Sequence, residues 1–141
     1  MMKKPKVLIV ASRYNYQILL MRSATKELNK YKILYETIYC NGAFEIPVII
    51  ARNIKRFDAF IAIGIIIKCE TPNFNLISQA ITNGIMNLSI LHKKPIGNAI
   101  LTCLNSVQVK KRSHKGKEAV EAVLDVLNPN DNYRGTAFNK N

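Results

Sequence analysis

A chain of 141 residues, 48% of them hydrophobic and none of them Trp, is long enough to bury the core of one domain and too short to favour two. Lys and Arg number 21 and Asp and Glu 9, a net charge of +12, but the hydrophobic content excludes a disordered chain, and no apolar run reaches the roughly 18 residues of a membrane span. The basic start, residues 1–6, is followed by too short an apolar stretch for a secretory leader, so a soluble cytoplasmic protein with no membrane partner is expected.

Residues 6–11, KVLIVA, form a β-branched run that reads as a buried strand. Residues 16–30 follow with Ile18, Leu19, Ala24 and Leu28 near helical spacing. Residues 33–40 read as a second strand, Asn41-Gly42 as a turn, and Pro47 as the first turn of a helix running to about Arg56. Residues 58–67, apolar after Asp58, read as a third strand. Residues 75–91 place Ile77, Ile81, Ile85 and Leu88 on one helical stripe. Residues 96–103 are a fourth strand, and residues 117–127 a last helix with Val120, Val123, Leu124 and Leu127 facing one way. The whole chain, 1–141, reads as a single domain with a polar tail from about residue 129 that frays or docks on a neighbour.

Strand and helix alternate four times, the pattern of an α/β fold with a parallel sheet covered on both faces. Ligands in such sheets bind beyond the carboxyl ends of the strands. Four segments fall there: Ser12-Arg13-Tyr14-Asn15, residues 41–45, residues 68–75 and residues 104–112. Gly42 and Ala43 let the main chain approach a ligand, Phe44 offers a flat apolar face, and Glu45 is a carboxylate just ahead of a helix. The same residues equally make a plain turn with a first-turn acid. Tyr14 is suited to stacking on a planar ring or to packing under its loop. Thr71 precedes a long helix and either caps it or leaves free N–H groups for an anion. Arg112 and Lys115 either clamp a phosphate or form a solvated basic turn.

Other chemistries are weakly supported. There is no Walker loop, no G-x-G-x-x-G and no G-x-S-x-G. Cys40, Cys69 and Cys103 are odd in number and widely spaced, which suits small buried hydrophobes better than a disulfide framework or a metal site. His92 and His114 are isolated, so no metal is expected. The cations are spread along the chain, and the densest run, around Lys110-Lys111-Arg112, has no interleaved aromatics, so nucleic acid is not an expected partner.

Ser12-Arg13-Tyr14-Asn15, Gly42 to Pro47, Gly64 to Thr71, residues 95–105, and Arg112 with Lys115 and Gly116 together resemble the 6,7-dimethyl-8-ribityllumazine synthase family of riboflavin biosynthesis. Gly42-Ala43-Phe44-Glu45-Ile46-Pro47 fits its G-A-F-E-[IL]-P motif, and Ser12-Arg13-Tyr14-Asn15 its turn after the first strand. Gly64-Ile65-Ile66-Ile67-Lys68-Cys69-Glu70-Thr71 is similar to its G-x-V-I-[RK]-G-x-T segment. Residues 95–105 fit its fourth strand, and Arg112, Lys115 and Gly116 its phosphate-clamping Arg and N-K-G. The resemblance implies a three-layer flavodoxin-like sandwich with a four-stranded parallel sheet flanked by helices. It implies a transferase that condenses 5-amino-6-(D-ribitylamino)uracil with 3,4-dihydroxy-2-butanone 4-phosphate, with no metal and no organic cofactor. It assigns Tyr14 to stacking on the pyrimidine, and Ala43, Phe44 and Glu45 to the ribityl chain and its ring. The backbone of Ile65, Ile66 and Ile67 reads the uracil edge, Glu70 and Thr71 bind phosphate, and Arg112 with Lys115 completes that site from a neighbouring subunit. The assembly implied is a homo-oligomer, a pentamer or a multiple of pentamers, with sites between subunits.

The sequence departs from the family around that pocket. Asn73 stands in the slot of the usual proton-transfer His, and Asn98 in that of an aromatic facing the ring from the adjacent subunit. An amide does not titrate and cannot serve as a general acid or base. Two functions therefore stay open: the condensing enzyme with reduced activity, and a catalytically impaired homologue that assembles as a scaffold or holds a flavin-like ligand.

Overall fold

A computed structural model describes residues 4–14, 16–68 and 73–129. Four strands, β1 (Val7–Ser12), β2 (Tyr35–Cys40), β3 (Ala59–Ile67) and β4 (Ile96–Cys103), alternate with helices α1 (Gln17–Lys30), α2 (Ile46–Arg52) and α3 (Phe74–His92), and two further helices, α4 (Ser106–Lys111) and α5 (Lys115–Leu127), follow β4. All strand pairs are parallel, in the order β2-β1-β3-β4. The result is the expected α/β sandwich in three layers.

Alternation along the two central strands divides the core. Val7, Ile9 and Ala11 of β1 and Ile61, Ile63 and Ile65 of β3 pack with Leu20, Ala24 and Leu28 of α1 and Val120, Val123 and Leu124 of α5. Leu8, Val10, Phe60 and Ala62 face the other way, onto Ile46 and Ile50 of α2 and Ile81 and Ile85 of α3. Every residue of β1 and β3 is buried, which is why those stretches are apolar without alternation. Gly116 makes the first layer possible. A Cβ there would fall 2.3 Å from both the Leu20 carbonyl oxygen and Ser23 Oγ, so only glycine lets the start of α5 lie on α1.

Several elements differ from the sequence expectation. β4 is not covered on both faces: Gly97, Ala99, Leu101 and Cys103 are buried, whereas Asn98 and Thr102 are exposed. β2 begins at Tyr35 because Ile33 is spent as a buried plug, its N–H donating to the Leu28 carbonyl after Lys32 turns with φ 57°. Ile18 is on the outer side of α1, whose buried residues are Leu20, Met21, Ala24, Glu27 and Leu28. α2 stops at Arg52 rather than Arg56, because Asn53 turns its side-chain amide back to the Ile49 carbonyl and accepts from Arg56. Residues 106–111, expected as loop, form α4, capped by the Asn105 side chain accepting from the Gln108 N–H. The polar tail beyond residue 129 lies outside the described residues.

Candidate functional site

Among the described residues, two clefts lie where the sheet ends. The first lies over the carboxyl ends of β1, β2 and β3 and holds about 440 Å³. Its floor is Ile65, Ile66 and Ile67, buried in β3, and Ile77 of α3 closes one side. The loop after β1 is held down by the Arg13 N–H, which donates to the Cys40 carbonyl at 2.8 Å, and by the Arg13 guanidinium, 3.3 Å from Asn41 Oδ1. Tyr14 lines the cleft beside Tyr16, ring centroids 6.4 Å apart.

The opposite wall is the turn from Gly42 to Glu45, a single 3-10 turn at Ala43–Glu45 running into α2. It closes on itself: the Gly42 N–H donates to Glu45 Oε1 at 3.1 Å, and the Glu45 N–H donates to the Gly42 carbonyl at 3.3 Å. Both bonds use the backbone of Gly42. Ala43 is buried under the turn, while Phe44 stands 63% exposed at the cleft mouth. Cys40, whose Sγ lies 3.3 Å from the Gly42 carbonyl oxygen, has its thiol pushed up by burial and by the Glu45 carboxylate, against a smaller opposing pull from Arg13.

The second cleft, of about 340 Å³, lies on β4 at Ile100, Leu101 and Thr102 and is walled by Arg112, His114, Lys115 and Glu118. Arg112 sits at the end of α4, its backbone N–H donating to Gln108 and Val109 carbonyls and its Nη1 reaching the Thr102 carbonyl at 3.1 Å. The guanidinium is thus fixed to the edge strand. It also lowers the Cys103 thiol, though burial dominates and the net direction is upward. His114 Nε2 lies 3.2 Å from Glu118 Oε2, one helical turn on.

Seven of the residues singled out from the sequence, Tyr14, Ala43, Phe44, Glu45, Ile65, Ile66 and Ile67, therefore meet at the first cleft. Arg112 and Lys115 meet at the second, and the two clefts share no lining residue. Asn73 precedes α3, its carbonyl accepting from the Ile77 N–H at 2.9 Å, and lines neither cleft. Asn98 also lines neither; its Oδ1 accepts from the Ile100 N–H at 3.0 Å. Glu70 and Thr71, like Asn15 and Cys69, lie outside the described residues. Sequence reasoning passed over Glu118 and Thr102. The four-residue spacing from His114 to Glu118 on a helix start was the signal for the first; for Thr102, a backbone acceptor, there was none.

The chemistry available is division of labour. The first cleft offers an apolar floor, aromatic walls and backbone polar groups, which suits a planar ring with polar edges. The second offers cations beside one carboxylate, which suits an anion. Among the described residues no three His, Cys, Asp or Glu side chains cluster as a metal site would require, and no helix is long and apolar enough to cross a membrane.

The family model for 6,7-dimethyl-8-ribityllumazine synthase matches residues 4–130. The chain is similar to the 6,7-dimethyl-8-ribityllumazine synthase of Bartonella tribocorum, 37% identical over 137 residues, covering 90% of this chain and 91% of that one. It is 31% identical to the enzyme of the same name from Thermobifida fusca over 83% of this chain and 75% of the relative. A shorter match, 41% identical, covers 61% of this chain and 56% of the relative from Cutibacterium acnes.

Proposed function

We propose, from the premise that the chain belongs to the 6,7-dimethyl-8-ribityllumazine synthase family, that it condenses 5-amino-6-(D-ribitylamino)uracil with 3,4-dihydroxy-2-butanone 4-phosphate to 6,7-dimethyl-8-ribityllumazine. The single observation that carries this reading is the cleft of Tyr14, the Gly42–Glu45 turn and the β3 end. In it Tyr14 stacks on the pyrimidine, the β3 backbone at Ile65, Ile66 and Ile67 reads the uracil edge, and Ala43, Phe44 and Glu45 hold the ribityl chain. The amine adds to the ketone and water leaves to give an imine; phosphate is then eliminated, and the ring closes with loss of a second water.

The phosphate-bearing substrate needs cations, and among the described residues the first cleft offers one, Arg13. Arg112 and Lys115 supply them from a second copy of the chain, with Glu70 and Thr71 adding donors. Assembly of copies, as a pentamer or a multiple of one, is supported by Leu76, Met86, Ile90 and Leu91, large apolar residues that α3 leaves more than half exposed. Asn98 replaces a ring-facing aromatic with a smaller amide, and Asn73 offers hydrogen bonds without proton exchange. Catalysis then rests mainly on orientation of two bound substrates and on stabilisation of the leaving phosphate. The protein acts in the cytoplasm, where its small-molecule substrates occur, and needs no cofactor.

The test is turnover at high enzyme concentration with both substrates. Product above the uncatalysed rate, falling by about 10²–10³ with Arg112→Ala, is expected from loss of one charge-stabilising donor. No rate above background, with turnover appearing in Asn73→His, identifies an assembled scaffold that has lost proton transfer. No rate in either protein overturns the enzyme reading.

A further inference from the structure

We propose that His114, oriented by Glu118, is the group that takes up and returns the proton during loss of phosphate; this deepens the condensation read above and rests on it. Elimination of phosphate from the imine breaks a C–H bond, and something must receive that proton at neutral pH. Among the described residues the first cleft is poor in such groups. Its described titratable side chains are Arg13, Tyr14 and Glu45, and the Glu45 carboxylate is already an acceptor for the Gly42 N–H at 3.1 Å. Guanidinium and phenol ordinarily hold their protons well above neutral pH. Asn73, ahead of α3, carries only an amide.

The chain has two histidines. His92 ends α3, the helix that carries the chain from the carboxyl end of β3 back to the amino end of β4, so it lies at the far end of the strands. His114 is on the cleft that holds Arg112 and Lys115, the cations assigned to the phosphate. An imidazole beside the departing group is where proton exchange is needed. The Glu118 carboxylate, 3.2 Å from Nε2, is placed to accept the Nε2–H and so to orient the ring. The charged groups on the cleft walls are Arg112 from the end of α4 and Lys115 and Glu118 of α5, while β4 contributes Ile100, Leu101 and Thr102. Two cations and one anion therefore frame the ring.

The step balances within the two substrates and the imidazole. The neutral ring removes the proton from the carbon next to the imine, and that C–H electron pair becomes the new C=C bond. The neighbouring C–O pair departs with phosphate, and the imidazolium then gives its proton to a phosphate oxygen. No oxidant, reductant or metal enters.

The experiment measures kcat and KM for the sugar phosphate between pH 5.5 and 9 for the native chain, His114→Gln and Glu118→Gln. The native kcat falls on the acid side, as a base that must be neutral requires. His114→Gln lowers kcat by about 10²-fold or more, the ordinary contribution of a general base, abolishes the acid limb and leaves KM within about twofold. Glu118→Gln, a change on an exposed helix start, lowers kcat by about tenfold and shifts the limb. A His114→Gln chain with native kcat and the native acid limb overturns the proposal, as does a rise in KM at unchanged kcat, which would make His114 a phosphate ligand only. Should His114→Gln not fold, an unchanged kcat and limb in Glu118→Gln overturns it instead. A native chain without turnover removes the condensation reading itself, a result seen before any variant is made, and the proposal falls with it.

Discussion

Gly64 in the middle of β3 lies directly beneath Ala43: a methyl on its α-carbon would stand 3.2 Å from Ala43 Cβ, 3.1 Å from Ser12 Oγ and 3.3 Å from Ile46 Cδ1. The missing side chain is what lets the Gly42–Glu45 turn settle onto the strand end and form the cleft wall. Gly64→Ala is expected to lower stability by about 1–3 kcal/mol through overpacking, and Gly64→Val by more. Thermal melts measure the first effect. The second expected effect, weaker binding of the ribityl-bearing substrate as the turn lifts, is measured by titration at a temperature where the variant is folded.

The turn also depends on its own carboxylate. Glu45→Ala removes the acceptor for the Gly42 N–H, and the expected loss of stability is about 1 kcal/mol, that of one hydrogen bond at a half-exposed site. Glu45→Gln retains an acceptor oxygen and is expected to keep most of that stability while weakening substrate binding. A calorimetric melt of the two variants beside a binding titration separates the structural role from the contact with ligand.

Gly116 tolerates nothing larger. Because its Cβ would meet the Leu20 carbonyl and Ser23 Oγ at 2.3 Å, and one of those atoms is backbone, Gly116→Ala forces α5 away from α1. The expected cost is about 3 kcal/mol or more, at the upper end for overpacking. Ser23→Ala is milder: it removes a hydroxyl that donates to the Ser113 carbonyl at 2.7 Å and accepts from the Lys117 N–H at 3.1 Å, an expected loss of about 1–2 kcal/mol. Urea unfolding curves rank the two.

The two described thiols give stability a pH dependence. Both are raised above the ordinary value of 9.0, chiefly by burial. A raised thiol binds its proton more tightly in the folded chain than in the unfolded one. Its contribution is therefore complete below pH 9 and is lost as pH rises through the folded values. Unfolding free energy should fall as pH rises above about 9 more steeply than in a Cys40→Ala, Cys103→Ala chain. Iodoacetamide at pH 8 should label both cysteines far more slowly in the folded protein than in urea.

How much of this was legible in the residues follows from what each element spends its side chains on. β1 and β3 are buried on both faces, so their apolar runs announce themselves, and the loops after them were placed by topology alone. α4 was invisible because six residues with only Val109 buried carry no periodicity; its signal was the cap at Asn105, which is local chemistry rather than pattern. The partial exposure of one face of β4 was likewise hidden, since half-buried Ile96 and Ile100 alternate with exposed Asn98 and Thr102. The residues of the first cleft were named from the sequence because they sit in contiguous motifs, except Ile77, which was read only as part of the apolar stripe of its helix. The pairing of His114 with Glu118 was missed because it exists only once α5 begins at Lys115, two residues earlier than the apolar spacing indicates.

The bonds along β4 have a consequence for how the chain behaves when crowded. An edge strand normally offers its unpaired amides and carbonyls to any passing strand. Here the Ile100 N–H is taken by Asn98, the Thr102 carbonyl by Arg112, and the Leu104 N–H by the Gln108 side chain at 2.7 Å. Two of the outward backbone groups of β4 are thus occupied by the chain's own side chains, which blunts this edge against pairing with another strand when the protein is concentrated.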